Sequence, residues 1–189
     1  MARREEFAEA ATDYVLQHGL IGLSLRPLAA ELGTSDRMLL YHFGSKDDLV
    51  AAVLRTSTDR SSAIIRQLQP SRDVRRAVRD LWEAMTSPEL QRCQRMYVEA
   101  AALGLFGREP YATVVRESNA VWLAAVADHL VASGARRARA RRATALLDAA
   151  FTGFLLDLPL DEGAPAQRQA VRDLTEAVSE VATGGHGSA

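Results

Sequence analysis

The chain of 189 residues has a single cysteine and no long apolar run. With Cys93 alone it can form no internal disulfide and no zinc cluster of the repeated-cysteine type. No stretch of about 20 apolar residues occurs, so no membrane-spanning helix is predicted. The first residues are charged and no apolar run follows them, so the sequence predicts no signal peptide. We therefore expect a cytoplasmic protein in a reducing compartment.

Signals for catalysis are also scarce. The four histidines are scattered along the chain, and none forms a metal-ligand pair on one predicted helix. Cys93 has no base near it in sequence, and the chain has neither a glycine-rich phosphate loop nor a nucleophile elbow. The sequence predicts that the protein is not an enzyme and needs no cofactor and no metal.

An excess of positive charge is missing as well. Lys and Arg number 23 against 24 Asp and Glu, and the net charge is -1. Residues 1–50 hold five basic and eight acidic side chains, a net charge of -3. This is not the balance of a nonspecific nucleic-acid binder. Any contact with DNA in this region must come from the placement of a few positive groups.

Helical periodicity is what the chain does contain. Glycine and proline separate the helical patterns, and no segment alternates like a half-buried strand. We predict an all-α fold of about nine helices, with three helices at 1–50, longer helices at 51–183 and a flexible tail at 184–189. The predicted helices span about 3–17, 24–32, 36–43, 46–68, 71–86, 88–104, 109–133, 136–158 and 164–182.

The helices at 24–32 and 36–43 are short and are joined by a turn that contains Gly33. Two such helices, supported by one before and one after, form the arrangement of a helix-turn-helix. Leu39 and Phe43 are spaced i, i+4 and should face the small core. On spacing alone, an αα-hairpin with solvated faces remains an alternative.

In a helix-turn-helix the second helix enters the major groove. Arg37 would contact guanine, Asp36 would accept from a cytosine amine or cap the helix, and Met38 or Tyr41 would touch a thymine methyl group. Other polar residues around the pair would hold phosphates. The candidate DNA contacts are Ser24, Arg26, Thr34, Ser35, Asp36, Arg37, Met38, Tyr41, His42 and Lys46.

The run LSLRPLAAELGTSDRMLLYHFGSKDDLV resembles the DNA-binding signature of TetR-family transcriptional regulators, over about residues 3–52. The resemblance implies an all-α homodimer that places two recognition helices on a palindromic operator, usually as a repressor released by a small ligand. It implies that residues 1–50 are a helix-turn-helix DNA-binding domain and that residues 51–183 are a ligand-binding and dimerisation domain. The residues that carry it are Leu28, Ala29, Leu32, Gly33, Tyr41, His42, Phe43, Ser45, Lys46 and Leu49.

One position departs from the family pattern. Leu40 stands where members usually carry a tyrosine, so the phosphate contact of that tyrosine is not assigned to Leu40. Tyr41 lies about 100° further round the helix. We therefore predict that Tyr41 contacts the bases or makes a mixed contact with bases and backbone.

Residues 71–158 carry large apolar side chains at helical spacing, whose default role is core packing. The carboxyl or amide groups of Glu99, Asn119 and Asp148 interrupt these apolar segments, and each needs water or a partner. Together with the family resemblance they suggest an apolar ligand pocket with polar anchors. Its predicted lining is Trp82, Met85, Met96, Glu99, Leu103, Phe106, Asn119, Trp122, Leu147 and Phe151.

The last two predicted helices carry small and apolar faces, where the family resemblance puts the two-fold interface. A palindromic operator requires two recognition helices about 34–36 Å apart or a multiple of that. The predicted interface residues are Ala143, Leu146, Ala150, Phe154, Ala170, Leu174, Ala177, Val178 and Val181.

The predicted function is a repressor that binds its operator as a homodimer and is released by a small, largely apolar molecule. An activator of the same family is an alternative that the sequence does not separate from it. A helical interaction protein without DNA binding is a second alternative, supported by the acidic balance of residues 1–50.

Overall fold

The structure of the protein is a computed structural model that describes residues 2–157 and 165–184. Within these ranges the regular secondary structure is entirely α-helical, which confirms the predicted all-α class. Nine helices are present there: α1 (Ala2–His18), α2 (Leu25–Glu31), α3 (Asp36–Phe43), α4 (Lys46–Gln67), α5 (Val74–Met85), α6 (Pro88–Leu105), α7 (Tyr111–Ala132), α8 (Arg137–Asp157) and α9 (Pro165–Thr183).

Proline and glycine mark the ends of several helices, as predicted. Pro88 is the first residue of α6 and Pro165 is the first of α9, where the missing N–H of proline has no helical partner to lose. Gly184 follows α9 with a φ of 75°, and its N–H donates to the carbonyl of Glu180 over 2.9 Å. The predicted joints at Pro159 and Gly163, and residues 185–189 of the predicted tail, lie outside the described residues.

The chain divides into two compact units. The first unit consists of Met1–Ser61 and Arg92–Val121. In it α1, α2 and α3 pack against one another around a core that includes the fully buried Leu28 and Leu39. The second unit consists of Ser62–Gln91 and Trp122–Ala189, and in it α5 and α8 both pack against α9.

The predicted domain boundary at residue 50 lies within α4. This boundary stays a prediction, because the two compact units are defined by packing, whereas the predicted domains are defined by function. Among the helices of the described ranges, none combines the length and the apolar character that crossing a membrane requires.

Candidate functional site

The turn between α2 and α3 has a defined hydrogen-bond pattern. The N–H of Thr34 donates to the carbonyl of Ala29 over 2.9 Å, and the N–H of Gly33 donates to that of Ala30 over 3.2 Å. These two bonds form a Schellman motif, which needs a left-handed residue directly after the helix. Gly33 supplies it with a φ of 63°. The turn therefore fixes the direction in which α3 leaves α2.

Ser35 begins α3 by capping it. Its Oγ accepts from the N–H of Met38 over 3.2 Å, and its backbone is extended. This is the geometry of a helix N-cap, which satisfies one of the free amides of the first turn. Asp36 Oδ1 accepts from the N–H of Arg37 over 2.9 Å. Asp36 therefore acts at the helix start, and its predicted contact with cytosine stays a prediction.

The two faces of α3 differ sharply in exposure. Leu39 and Phe43 are buried, as their spacing predicts. On the other side Met38 is 42% exposed and Tyr41 is 79% exposed, and Arg37 is exposed beside them. Neighbouring exposed apolar side chains, unlike single ones, are typical of an interaction surface. The outward set predicted from the sequence thus forms one open surface.

Several predicted phosphate contacts lie close to α3 in sequence. Ser24 is the N-cap residue of α2, but its side chain makes no capping hydrogen bond, so its hydroxyl can serve another partner. Arg26 is exposed and Thr34 is half-buried. Lys46, at the start of α4, donates from Nζ to the carbonyl of Leu23. An ammonium has three donors, so two remain for a phosphate.

The ring of His42 is held by two aromatic neighbours. Its centroid lies 5.2 Å from that of Phe7 and 5.2 Å from that of Tyr41, the latter edge-on. His42 is half-buried as a result. Its ring therefore supports the position of Tyr41, in addition to its predicted phosphate contact.

Two arginines near α3 were missed by the sequence reasoning. The guanidinium of Arg4 lies 5.1 Å from the ring centroid of Phe43, and that of Arg3 lies 5.1 Å from that of Phe7. Both arginines are exposed. The signal in the sequence is the basic pair in the first turn of α1, and the stacking of that pair on core aromatics could not be inferred from it. Arg4 joins the candidate phosphate contacts.

The acidic balance of the first 50 residues is partly neutralised from α4. Arg60 Nε donates to Glu9 Oε2 over 2.9 Å, and Nη1 donates to Asp13 Oδ1 over 2.5 Å. Although burial alone lowers the pKa of Arg60, the hydrogen bonds to Asp13 and Glu9 raise that pKa above its usual range. These two carboxylates therefore face α4 and are paired there.

Glu99, a predicted pocket residue, binds the turn after α1. Its Oε2 accepts from the N–H of Leu20 over 2.7 Å and from the N–H of Ile21 over 2.6 Å. A Cβ on Gly19, whose φ is 90°, would lie 3.3 Å from the other carboxylate oxygen. The carboxylate therefore holds two backbone donors of the α1–α2 turn, which accounts for a charge within an apolar segment.

The other predicted pocket residues are divided between the units. Those of the first unit are Met96, in its core, Leu103 and Asn119, both half-buried, and Phe106, which is 86% exposed after the end of α6. In the second unit Met85, Leu147 and Phe151 belong to the core, and the half-buried Trp82 and Trp122 pack against it. The pocket as a whole stays a prediction.

Asp148 lies next to the aromatic residues of the second unit. Its Oδ1 accepts from Trp122 Nε1 over 3.2 Å. Burial raises the pKa of this carboxyl, and the hydrogen bond from Trp122 opposes the rise. In the described parts of the chain Asp148 has no ion pair.

The predicted dimer-interface residues differ in what surface they retain. Ala143, Leu174 and Val178 are buried within the second unit itself, so they have almost no surface left for a second copy. Leu146 is 40% exposed and Ala177 is exposed as well. The half-buried members are Ala150, Phe154, Ala170 and Val181. An interface between two copies would therefore depend on the exposed and half-buried members.

Comparison with known proteins finds similarity to one family of regulators. Residues 8–53 match the model for bacterial regulatory proteins of the tetR family, whereas a comparison with curated sequences finds no match. A Rhodococcus sp. structure assigned to the TetR family is 25% identical, with 97% of this chain and 100% of that chain covered and a TM-score of 0.71. The multidrug binding protein EbrR complexed with ethidium is 28% identical, with 92% and 97% covered and a TM-score of 0.65. Residues 8–53 therefore match the DNA-binding part of tetR-family regulators, and over nearly its whole length the chain is similar in fold to a TetR-family transcriptional regulator.

Proposed function

We propose that this regulator binds a palindromic operator as a homodimer, represses transcription there and is released by a small, largely apolar molecule. The observation that carries the proposal is the open surface of α3, with Arg37, Met38 and Tyr41 outside and Leu39 and Phe43 buried. A helix anchored on one face can enter a major groove with the other.

The base contacts would come from the first two turns of α3. Arg37 carries a fork of donors that suits guanine, and the apolar groups of Met38 and Tyr41 suit a thymine methyl group. Leu40, 39% exposed, widens the apolar part of this surface. Ser24, Lys46 and the N-terminal Arg4 would bind phosphates, which positions α3 without selecting a sequence.

A homodimer follows from the palindrome, because each half-site needs its own recognition helix. Leu146 on α8 and Ala177 on α9 leave apolar surface exposed. An isologous contact through this surface would pair the same residues of two copies. Light scattering of the purified protein tests it, with the mass of two chains as the expected result.

A small-molecule effector is supported by one similar protein whose ligands are known. EbrR has been solved with ethidium and with proflavin, and at 27% identity the proflavin complex covers 92% of this chain. The effector would shift the population toward a conformation that does not fit the operator. A hundredfold loss of operator affinity needs about 2.8 kcal/mol of coupling.

Gel retardation on genomic fragments at two salt concentrations tests the DNA-binding proposal. Arg37→Ala and Tyr41→Ala should each weaken operator binding by about 1–3 kcal/mol and blur the sequence preference, whereas Lys46→Ala should weaken binding to all sequences alike. Arg116→Ala is the matched control, because Arg116 is exposed on α7, away from α3 in sequence, and should bind as the wild type does.

The outcomes separate the alternatives. Sequence-selective binding that weakens steeply with salt supports the proposal. Normal operator binding by Tyr41→Ala would reject the assigned face of α3. Absence of any retarded complex at either salt concentration would favour a helical interaction protein. A reporter gene behind the operator distinguishes a repressor from an activator.

A further inference from the structure

An unpaired carboxylate lies beside a group of aromatic rings in the second unit. Asp148 Oδ1 accepts from Trp122 Nε1 over 3.2 Å, and in the described residues that is the one hydrogen bond of this side chain. Phe151 follows Asp148 by three positions on α8, and residues three apart are neighbours on a helix surface. The Asp148 carboxylate and the Phe151 ring thus share one side of α8.

The rings around Phe151 present both faces and edges. The centroid of Trp82 lies 5.1 Å from that of Phe151 and 5.9 Å from that of Phe154. The planes of Trp82 and Phe154 stand at 88°. Trp82, Trp122 and Phe154 are all half-buried, so part of each ring remains open to a small molecule. The negative face of an aromatic ring attracts a cation within about 6 Å.

The charge of Asp148 is costly where it lies. Burial raises the pKa of its carboxyl, because removal from water disfavours the charged form. The indole N–H of Trp122 is neutral and can donate equally to an amide oxygen. The fold therefore has no evident need for a negative charge at this position, and a cation would offset the cost of its burial.

A second unsatisfied polar group lies one turn away. Thr144, four residues before Asp148 and so on the same side of α8, is 2% exposed. Its Oγ1 is buried without a hydrogen-bond partner in the described residues. A buried hydroxyl is normally hydrogen-bonded. The side of α8 that carries Asp148 thus has an unpaired charge and a free hydroxyl together.

We propose that this group of residues is the binding site for an organic cation, whose positive charge faces Asp148 and whose apolar body lies against the half-buried rings of Trp82 and Trp122. The site supplies one full negative charge and several aromatic faces, which suits a quaternary or aromatic ammonium ion better than a metal ion. Divalent metals take several oxygen or nitrogen ligands, and the described residues contain no such group. The inference rests on the proposed function in one respect, namely that the bound cation acts as the effector.

An isosteric pair of probes tests the charge requirement directly. Phenyltrimethylammonium and tert-butylbenzene have the same shape, and only the first is charged. The two tryptophans of the chain are Trp82 and Trp122, so tryptophan fluorescence, excited selectively, reports on this group alone. We expect the cation to change the fluorescence and to bind about tenfold more tightly than its neutral isostere.

Asp148→Asn removes the charge and keeps an oxygen for Trp122. It should weaken binding of the cation about tenfold or more and leave the neutral isostere unchanged. Asp128→Asn is the matched control, since Asp128 is an exposed aspartate on α7, and it should bind both probes as the wild type does. Circular dichroism checks that each variant keeps its helices. Trp82→Phe, which keeps a ring, provides a second variant and should retain selectivity for the cation.

Three results would overturn the inference: no binding of the cation by the wild type, equal binding of both isosteres, or a cation affinity that Asp148→Asn leaves unchanged. Gel retardation without any probe is measured in parallel. If the protein binds its operator but does not bind the cation, this site is rejected and the proposed DNA recognition is retained. If the protein binds the cation but has no affinity for an operator, the proposed DNA recognition is rejected and the cation site is retained.

Discussion

Replacement of Glu99 should destabilise the first unit more than an exposed carboxylate would. One oxygen of Glu99 accepts from the N–H groups of Leu20 and Ile21 over 2.7 and 2.6 Å. Hydrogen bonds to a charged group contribute about 1.5–3 kcal/mol each. Because the two share one acceptor and Ile21 is exposed, we expect Glu99→Ala to lower the free energy of unfolding by about 2–4 kcal/mol. For a chain of this size that corresponds to a fall in Tm of roughly 4–16 °C.

Glu99→Gln separates the charge from the geometry. Its amide oxygen can still accept both N–H groups, so the expected loss is about 1–2 kcal/mol, the difference between a charged and a neutral acceptor. Urea unfolding followed by circular dichroism measures both variants. The control is Glu117→Ala, because Glu117 pairs with Arg55 while the two side chains are 52% and 54% exposed. Such an ion pair contributes about 0–1 kcal/mol.

The comparison with the control decides the matter. If Glu99→Ala and Glu117→Ala lower the free energy of unfolding equally, the bonds to the α1–α2 turn contribute no more than a surface ion pair, and the argument from charge-assisted bonds is wrong. A second comparison uses Gly19→Ala, which strains a residue with a φ of 90°. That strain remains when Glu99 is absent, so the two substitutions together reveal how far they are coupled.

Two further predictions concern a helix start and a buried imidazole. Ser35→Ala removes the cap that accepts from Met38 and should cost about 1 kcal/mol of stability, seen as a lower urea midpoint, whereas an unchanged midpoint would mean that α3 does not depend on its cap. Burial lowers the pKa of His129 below its ordinary value of 6.5, and Asp80 opposes this. Below the ordinary pKa the unfolded chain therefore binds a proton at His129 more readily than the folded chain does. The free energy of unfolding should not depend on His129 above about pH 6.5, and it should fall below that pH by at most about 1.4 kcal/mol per pH unit. Urea unfolding at pH 7.5 and 5.5 measures this, and an equal fall in His129→Leu would show that other groups cause it.

The boundaries of most helices could be predicted, because the signals that set them are local. Glycine and proline ended the helical patterns close to where α1, α3, α4 and α6 end or begin. The start of α5 was placed three residues early, at Ser71. Asp73 is the actual cap, and its Oδ1 accepts from the N–H of Arg76 over 2.7 Å. Ser71 instead donates to Asp80 over 2.6 Å, a contact nine residues along the chain.

The inner and outer faces of α3 could be predicted for the same reason. Leu39 and Phe43 are one turn apart, so both side chains lie on the same face of α3, and that face packs on the core. The bond of Lys46 to the carbonyl of Leu23 could not be predicted, because it depends on how the turn before α2 approaches the start of α4. The partners of Glu99 lie 78 and 79 residues away in sequence, beyond any periodicity.

A carboxylate within an apolar segment can either stabilise the fold or bind a ligand, and the sequence does not distinguish these two roles. The number and charge of its partners in the structure distinguish them. Glu99 meets two backbone donors that have no other acceptor in that turn, so its charge stabilises the fold. Asp148 meets one neutral donor and no cation among the described residues, so its charge costs stability in the free protein. Removal of the charge should therefore lower the unfolding midpoint in Glu99→Gln and leave it unchanged or raise it in Asp148→Asn. Opposite signs in these two conservative variants would assign Glu99 to the fold and leave Asp148 for a ligand. A loss of stability in both would mean that Asp148 is held by the fold as well, and the site for an organic cation would lose its energetic basis.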